Sequence, residues 1–169
     1  MAQTHIVAES LDGKTYTLPT SDLTWRPAAY GVVIKDGKVL LLPQDGKGYV
    51  LPGGGMEVDE LSEAAVLREV REETGLTVEV KKFLDLRENY FVIEPETAPE
   101  DVWHSLCLYY LCVPISGELS TAGFDEFEQA HVGLAEWVDI RDFATIPIVS
   151  SIDFKPIVLQ AIKELTSIH

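Results

Sequence analysis

The stretch from Leu61 to Thr74, "LSEAAVLREVREET", is the strongest helix signal in the chain, and it interrupts runs that read as strands. Val66, Leu67 and Val70 recur at helical spacing and form an apolar stripe, and Gly75 stands where a left-handed C-terminal cap closes a helix. Upstream, "AAYGVVIKDGKVLLLPQ" is two β-rich runs joined by Asp36-Gly37, the dipeptide of a two-residue hairpin. "DGKGYVLPGGG" then reads as a short strand ending in three glycines. Downstream, "LTVEVKKFLDLRENYFVIE" alternates like a pair of strands, and "WHSLCLYYLCVPI" reads as one buried strand. A second helix is expected from about Pro156 to the end, where Ile157, Ala161 and Leu165 repeat at i+4. Strands broken by one central and one terminal helix predict a mixed α/β layer fold, and 169 residues suffice for one core.

The remaining segments are subordinate. "HIVAESLDGKTYTL" predicts a hairpin around Asp12-Gly13, so residues 1–24 are expected to form an extension to a domain over 25–169. "PETAPED" reads as an acidic, proline-bearing loop. "FDEFEQAHVGLAEWVDIRDFATI" reads as a polar loop that closes on a short strand around Trp137.

Charge and hydropathy exclude several roles. With 28 Asp and Glu against 13 Lys and Arg, the net charge is −15, a field that repels a phosphate backbone, so no nucleic-acid polymer is expected as a partner. A small phosphorylated ligand is compatible with that field when cations mediate the contact. The longest apolar run, "LCLYYLCVPI", is about half the length of a spanning helix, so no membrane partner is expected. The N-terminus has no basic and apolar leader pattern, and Cys107 and Cys112, five apart on a strand, point to opposite faces and do not pair. A cytoplasmic location is the expectation.

Against that acidic background, Glu69, Glu72 and Glu73 crowd five positions of the central helix. On a helical wheel they fall within an arc of roughly 100°, beside the apolar stripe. Like charges at i+3 and i+4 repel by roughly 0.2–0.5 kcal/mol each, and more where water is scarce. A hard divalent cation would offset that repulsion, because Mg²⁺ binds through a few carboxylates plus substrate phosphates. Upstream, "LPGGG" supplies backbone without side chains, so Gly54 and Gly55 let a phosphate or a metal approach peptide groups closely. A glycine turn followed by an acidic helix is coherent as a metal-bridged phosphate site.

Gly54, Glu60, Arg68, Glu69, Val70, Glu72, Glu73, Gly75 and Leu76 fit G-x5-E-x7-R-E-U-x-E-E-x-G-U, with U a bulky aliphatic, at every fixed position. That pattern resembles the Nudix box, and the chain is similar to Nudix hydrolases over Trp25 to its C-terminus. The resemblance implies an α/β/α sandwich around a mixed sheet, with the box forming loop–helix–loop. It implies water attack at a phosphorus of a nucleoside diphosphate linked to a moiety X, assisted by Mg²⁺ or Mn²⁺. Carried onto this sequence, Glu69 and Glu73 become the principal metal ligands, Glu72 a ligand directly or through water, and the Gly53 carbonyl a further oxygen. Arg68 orients the carboxylates and Glu60 braces the loop.

Which carboxylate takes the water's proton varies within the family. The candidates here are Glu72 or Glu73 on the helix and Glu126 or Glu128 in the loop before Trp137. Leu61 stands where the family often has a Ser or Thr cap, so Asp59 or Ser62 is the expected alternative.

The moiety X stays open. Tyr90 and Phe91 fall near the window of the tyrosine that marks dinucleoside polyphosphate hydrolases, whereas Pro95 comes late for the proline of ADP-ribose hydrolases. Tyr90, Phe91 and Trp103 are candidates to stack a nucleobase, with Tyr49 and Trp25 behind them. His104 and His131 are read as structural. Three functions follow: hydrolysis of a nucleoside diphosphate derivative such as ADP-ribose or a sugar nucleotide, MutT-like release of pyrophosphate from nucleoside triphosphates, or a non-catalytic nucleotide sensor. Homodimers are frequent among similar proteins, and the N-terminal hairpin, outside the resemblance, is a candidate contributor to one.

Overall fold

The computed structural model describes residues 4–10, 13–92 and 102–167. Strand β3 (Leu23–Lys35) organises it, because its alternate residues serve two separate cores. Ala28, Val32 and Ile34 enter one apolar cluster, while Ala29 and Val33 enter another on the opposite face. The flanking strands repeat the pattern. Val39 and Leu41 of β4 (Lys38–Gln44) face the first cluster and Leu40 and Leu42 the second. Cys107, Tyr109 and Leu111 of β8 (Val102–Ser116) face the first, and Tyr110 and Cys112 the second. A sheet covered on both sides needs apolar residues at every position, which is why "VVI", "VLLL" and "LCLYYLC" show no alternation. The two cysteines lie on opposite faces, as their spacing predicted, and both are buried free thiols.

Each face is closed by one helix. Helix α1 (Ser62–Thr74) lays Ala65, Val66 and Val70 on the second cluster, where each is fully buried. It packs close at Gly31, where a side-chain Cβ would meet Val70 Cγ2 at 2.7 Å. The stripe differs from the sequence reading at one position. Leu67 is 38 % exposed, and the buried face runs instead through Glu73 and Thr74. Leu61 is the N-cap and makes no side-chain capping bond. Ser62 does not cap either, because its hydroxyl is hydrogen-bonded to the Tyr110 hydroxyl at 2.6 Å. At the far end Gly75 adopts φ +78 and donates its N–H to the Arg71 carbonyl, the left-handed cap expected there. Helix α3 (Lys155–Ser167) covers the other face with Ile157, Val158 and Ala161. The result is the α/β/α sandwich with a mixed sheet that the resemblance implied.

The sheet runs in the order β2-β1-β7-β8-β3-β4-β5. Here β1 is His5–Glu9, β2 Thr15–Pro19, β5 Gly48–Val50 and β7 Thr77–Val92. The segment expected to be a strand pair is one 16-residue strand, β7, antiparallel to β8. Register shifts between Val80 and Lys82 and between Phe83 and Asp85 bend it. Each extra residue reverses the face of those beyond it, so the alternation breaks where a hairpin turn was inferred. Asp36-Gly37 does form a two-residue turn, with φ +49 and +71 between the Lys35–Lys38 pair. The N-terminal hairpin pairs Glu9 with Thr15, and β1 joins the sheet beside β7 at Glu9 and Phe91. Of its predicted turn, Asp12 lies outside the described residues, as do Pro95 and the rest of "PETAPED".

One departure creates the site. Strands β3 and β4 stay paired only at Ile34–Val39 and Lys35–Lys38, and then diverge. The edge of β3 so freed is taken by the three glycines, which form strand β6 (Gly53–Gly55) against Ala28–Tyr30. The glycines are therefore a paired strand rather than an open turn. Only glycine fits at Gly53, whose φ is +143 and where a Cβ would strike the Ala29 carbonyl oxygen and Tyr30. The C-terminal half of the chain adds a short helix, α2 (Glu126–His131), and strand β9 (Glu136–Asp139) on β4.

At Gly75 a Cβ would meet the Glu118 carbonyl oxygen and Ser120, in addition to the positive φ. Gly75→Ala is therefore expected to lower unfolding stability by about 1–3 kcal/mol. Urea denaturation followed by circular dichroism reads this directly, and an unchanged midpoint would contradict the cap.

Candidate active site

Glycine strand β6 and helix α1 meet at one hydrogen bond: the Gly53 N–H donates to Glu73 Oε2 at 2.6 Å. Glu73 is 8 % exposed, so a carboxylate lies in the seam between strand and helix. Burial pushes its pKa well above the usual carboxylate range, the charges of Glu69 and Glu128 push it further, and the Gly53 N–H opposes. Glu69 sits one turn earlier with its carboxylate against Gly54, where an added Cβ would lie 2.8 Å from Oε2. Burial raises its pKa too, with Arg68 acting the other way and the charges of Glu72 and Glu128 adding to the rise.

Arg68 organises the rest. Its Nε and Nη2 donate to the two oxygens of Glu60 at 2.9 and 2.8 Å, a bidentate pair. Nη1 donates to Glu69 at 2.8 Å and Glu72 at 3.1 Å, and Nη2 also reaches the Gly55 carbonyl at 3.1 Å. Every part of the guanidinium is engaged, and Glu60 holds it most firmly, which keeps the arginine charged and lowers the Glu60 pKa. Glu60 also accepts the Glu57 N–H at 3.3 Å and so ties the loop before α1. The helix–loop unit is thus fastened to the glycine strand twice, through Glu73 and through Arg68.

These groups open on a cleft of about 420 Å³. Gly53, Gly54, Gly55, Glu69 and Glu73 form one wall, with Asp125 and Glu128 of the α2 start beside them. The cleft is also lined by the aromatic candidates Phe91 and Trp103, which face each other across β7 and β8 and stack at 5.6 Å and 22°. The Arg26 guanidinium lies 5.2 Å over the Trp103 ring, and it is the one basic side chain among the described residues lining the cleft. Deeper in, Tyr30 stacks on Tyr109 at 5.5 Å, and burial raises the Tyr30 phenol to about 12.

Not every sequence candidate is brought there. Tyr90 is absent from the cleft wall; it points to the other side of β7, against His104 and the small core under the N-terminal hairpin. Glu72 is on the solvent side of α1, half exposed and bonded to Arg68. Glu126 is exposed in the first turn of α2 and does not line the cleft. Trp25 is 55 % exposed and meets His104 edge-on, while the Tyr49 hydroxyl donates to Glu136 at 2.9 Å. His104 pairs with Glu88 and His131 with Asp45.

Sequence reading missed Arg26, Tyr30, Asn89 and Asp125. A signal was available for the last: Asp125 and Glu128 form a reciprocal capping box, each side chain accepting the other's N–H at 2.8 Å. It starts a helix where a polar loop was expected, and it fixes Glu128.

The donor set suits a hard divalent cation. The buried Glu73 and the partly buried Glu69, whose pKa values are raised by burial and by neighbouring carboxylates, Glu128 bearing on both, leave the seam short of positive charge. Their oxygens, with the backbone of the glycine strand, are the ligand type Mg²⁺ and Mn²⁺ take. Among the described residues no three acidic, His or Cys side chains are gathered as a ready-made ligand group, since Arg68 holds Glu69 and Glu72.

Known proteins resemble this chain in sequence and in fold. The sequence profile of the NUDIX domain matches residues 25–156. An ADP-ribose pyrophosphatase of Methanocaldococcus jannaschii is 35% identical over 119 residues, covering 68% of this chain and 62% of its own length. A MutT-like protein of Streptomyces ambofaciens is 44% identical over 61 residues, 35% of this chain and 40% of its own. The chain thus spans less than two thirds of the length of either relative. In three dimensions, an ADP-ribose pyrophosphatase of Streptococcus suis superposes with a TM-score of 0.62 over 86% of this chain and 96% of its own, at 18% identity, a likeness of fold.

The raised pKa of Glu73 has a consequence for stability. A carboxyl whose folded pKa lies above its unfolded value favours the fold in its protonated form, and that contribution is lost as pH rises through the folded pKa. In chelator, the melting temperature is expected to fall as pH rises above the ordinary carboxylate range, and Glu73→Gln is expected to flatten that slope. A slope identical in both proteins would show that Glu73 does not titrate above the ordinary range.

Proposed function

The chain belongs to the Nudix family, and on that premise we propose that it is a metal-dependent pyrophosphohydrolase of a nucleoside diphosphate linked to a moiety X, ADP-ribose or a sugar nucleotide being the class in view. The observation that carries this is the convergence, in one cleft, of a side-chain-free strand, the buried Glu73 and partly buried Glu69 carboxylates, and stacked aromatics with one guanidinium. The 35% identity to an ADP-ribose pyrophosphatase supports the substrate class.

Glu69 and Glu73, with Glu72 at the rim and the Gly53 carbonyl, are the proposed holders of Mg²⁺ or Mn²⁺. A cation held there supplies neutralisation of the diphosphate charge and activation of water at neutral pH. Recruiting Glu69 means loosening its bond to Arg68, which stays anchored by its paired bonds to Glu60 and its bond to the Gly55 carbonyl. Arg68 is in this reading a positioning residue. The peptide groups of Gly54 and Gly55 can approach the diphosphate closely because no side chain intervenes.

Of the four base candidates, Glu128 is the best placed. It lines the cleft next to Glu73 and Glu69, and its capping box holds it on a short helix. Glu72 and Glu126 lie outside the cleft, and Glu73 is committed to the Gly53 N–H. Glu128 would take the proton of the attacking water. Phe91, Trp103 and Arg26 would hold the nucleoside or X by stacking.

A screen of ADP-ribose, sugar nucleotides, dinucleoside polyphosphates and nucleoside triphosphates with Mg²⁺ tests the reading, with products separated by chromatography. A nucleoside monophosphate plus phosphorylated X is the expected outcome; pyrophosphate from triphosphates would contradict the substrate class. Glu73→Gln is expected to lower kcat by about 10²–10⁴, and Glu128→Gln to lower it as well. Full turnover in Glu73→Gln would overturn the ligand assignment.

A further inference from the structure

Arg26 lies half-buried on β3 and lines the cleft, and it forms no ion pair among the described residues, in a chain of net charge −15. On one side its guanidinium lies 5.2 Å over the Trp103 ring. On the other it reaches the glycine strand, where a Cβ added at Gly55 would stand 3.8 Å from Nη2 and 3.9 Å from Cζ. Burial raises the Tyr30 phenol beside it, and the guanidinium charge acts the other way. These neighbours are a ring, a bare peptide and a neutral phenol, so the charge faces no anion. Arginine carries donors only and stays charged, so the ligand it takes is an acceptor. A pair of phosphate oxygens matches its planar fork.

The strand order fixes what lies on each side of that guanidinium. Strand β3 pairs with the glycine strand β6 at one edge and with β8 at the other. Trp103 and Phe91 therefore lie beyond Arg26 on the β8 side, while Glu69 and Glu73 lie with β6. Glu128 enters from the side away from β8, because Val132, just after α2, bridges to Gln44 of β4, where β4 has parted from β3. Across the cleft the order is thus the aromatic pair, Arg26, the glycine strand with its carboxylates, and Glu128.

We propose that Arg26 holds the phosphate that carries the nucleoside, so that the phosphate carrying X lies toward Glu128 and its phosphorus is the one that water attacks. The inference rests on the cleft being the diphosphate site of the proposed hydrolysis. A base stacked on Phe91 and Trp103 brings its own phosphate to Arg26 first. Neighbouring strands are about 4.8 Å apart, so the next phosphate along reaches the bare backbone of β6. In the step, the water oxygen bonds to the X-bearing phosphorus while the bond from that phosphorus to the bridging oxygen breaks. Glu128 takes the water proton, and the bridging oxygen leaves with the nucleoside monophosphate. Arg26 faces the charge that grows on that leaving phosphate, which is where a preorganised donor counts most.

Two readouts test it. Calorimetric titration of AMP and of adenosine, with Mg²⁺ present, reads the phosphate contact without turnover. Arg26→Gln is expected to weaken AMP at least ~10-fold more than it weakens adenosine. Arg26→Lys keeps the charge but loses the fork, so it retains part of the AMP affinity. Hydrolysis of ADP-ribose in ¹⁸O-labelled water then reads the point of attack by mass spectrometry of the products. The label is expected in ribose 5-phosphate and absent from AMP. Label in AMP, no binding of AMP by the native chain, or an equal change in AMP and adenosine binding in Arg26→Gln would overturn the proposal. Arg26-dependent AMP binding without any hydrolysis would uphold the contact and remove the enzymatic reading alone.

Discussion

The hydrogen bond from the Gly53 N–H to Glu73 is the constraint on which the rest of the site depends. It places a carboxylate inside the protein, between a strand that tolerates no side chain and a helix whose neighbouring residues are core. The cost of that burial shows in the upward shift of Glu73, against which one peptide N–H is a partial offset. Everything nearby serves to hold the arrangement. Arg68 ties helix, loop and glycine strand together, and the divergence of β4 from β3 opens the edge on which the glycines pair. On the proposed function, a divalent cation turns that repulsion into binding.

The cleft divides by chemistry. One wall is carboxylate and bare backbone and suits charge and water. The other is aromatic, with a guanidinium and an amide, and suits a flat polar ring. The walls come from different parts of the chain: α1 and β6 supply the first, while β3, β7 and β8 supply the second. On the proposed function, substrate choice can therefore vary on the second group of residues without disturbing the first.

Much of this was legible in the sequence, and the failures are instructive. The helix, its glycine cap and the acidic crowding were readable because each is local: periodicity, a left-handed position and i+4 spacing all lie within a few turns. Leu67 was misplaced because the stripe could be drawn through either of two adjacent residues, and only contact with β3 shows that Glu73 and Thr74 take the buried side. The split of β7 into two strands failed for a related reason. Bulges at Lys81 and Leu84 break the alternation in the way a turn would. Tyr90 and Phe91 are neighbours in sequence and opposite in space, so a window that admits both cannot choose between them. Arg26 and Asn89 carry no local signal at all, since their places in the cleft arise from a shared row across three strands.

The most direct test of the central claim is a titration of Mn²⁺ into the chelator-treated chain, followed by the loss of the free-ion paramagnetic resonance signal, with Glu73→Gln alongside. The account predicts saturable binding by the native chain and at least ~10-fold weaker binding by the variant, the fold being intact in both. Absence of binding, or equal binding by the two proteins, would contradict it, and the buried carboxylates would then need an explanation without a metal.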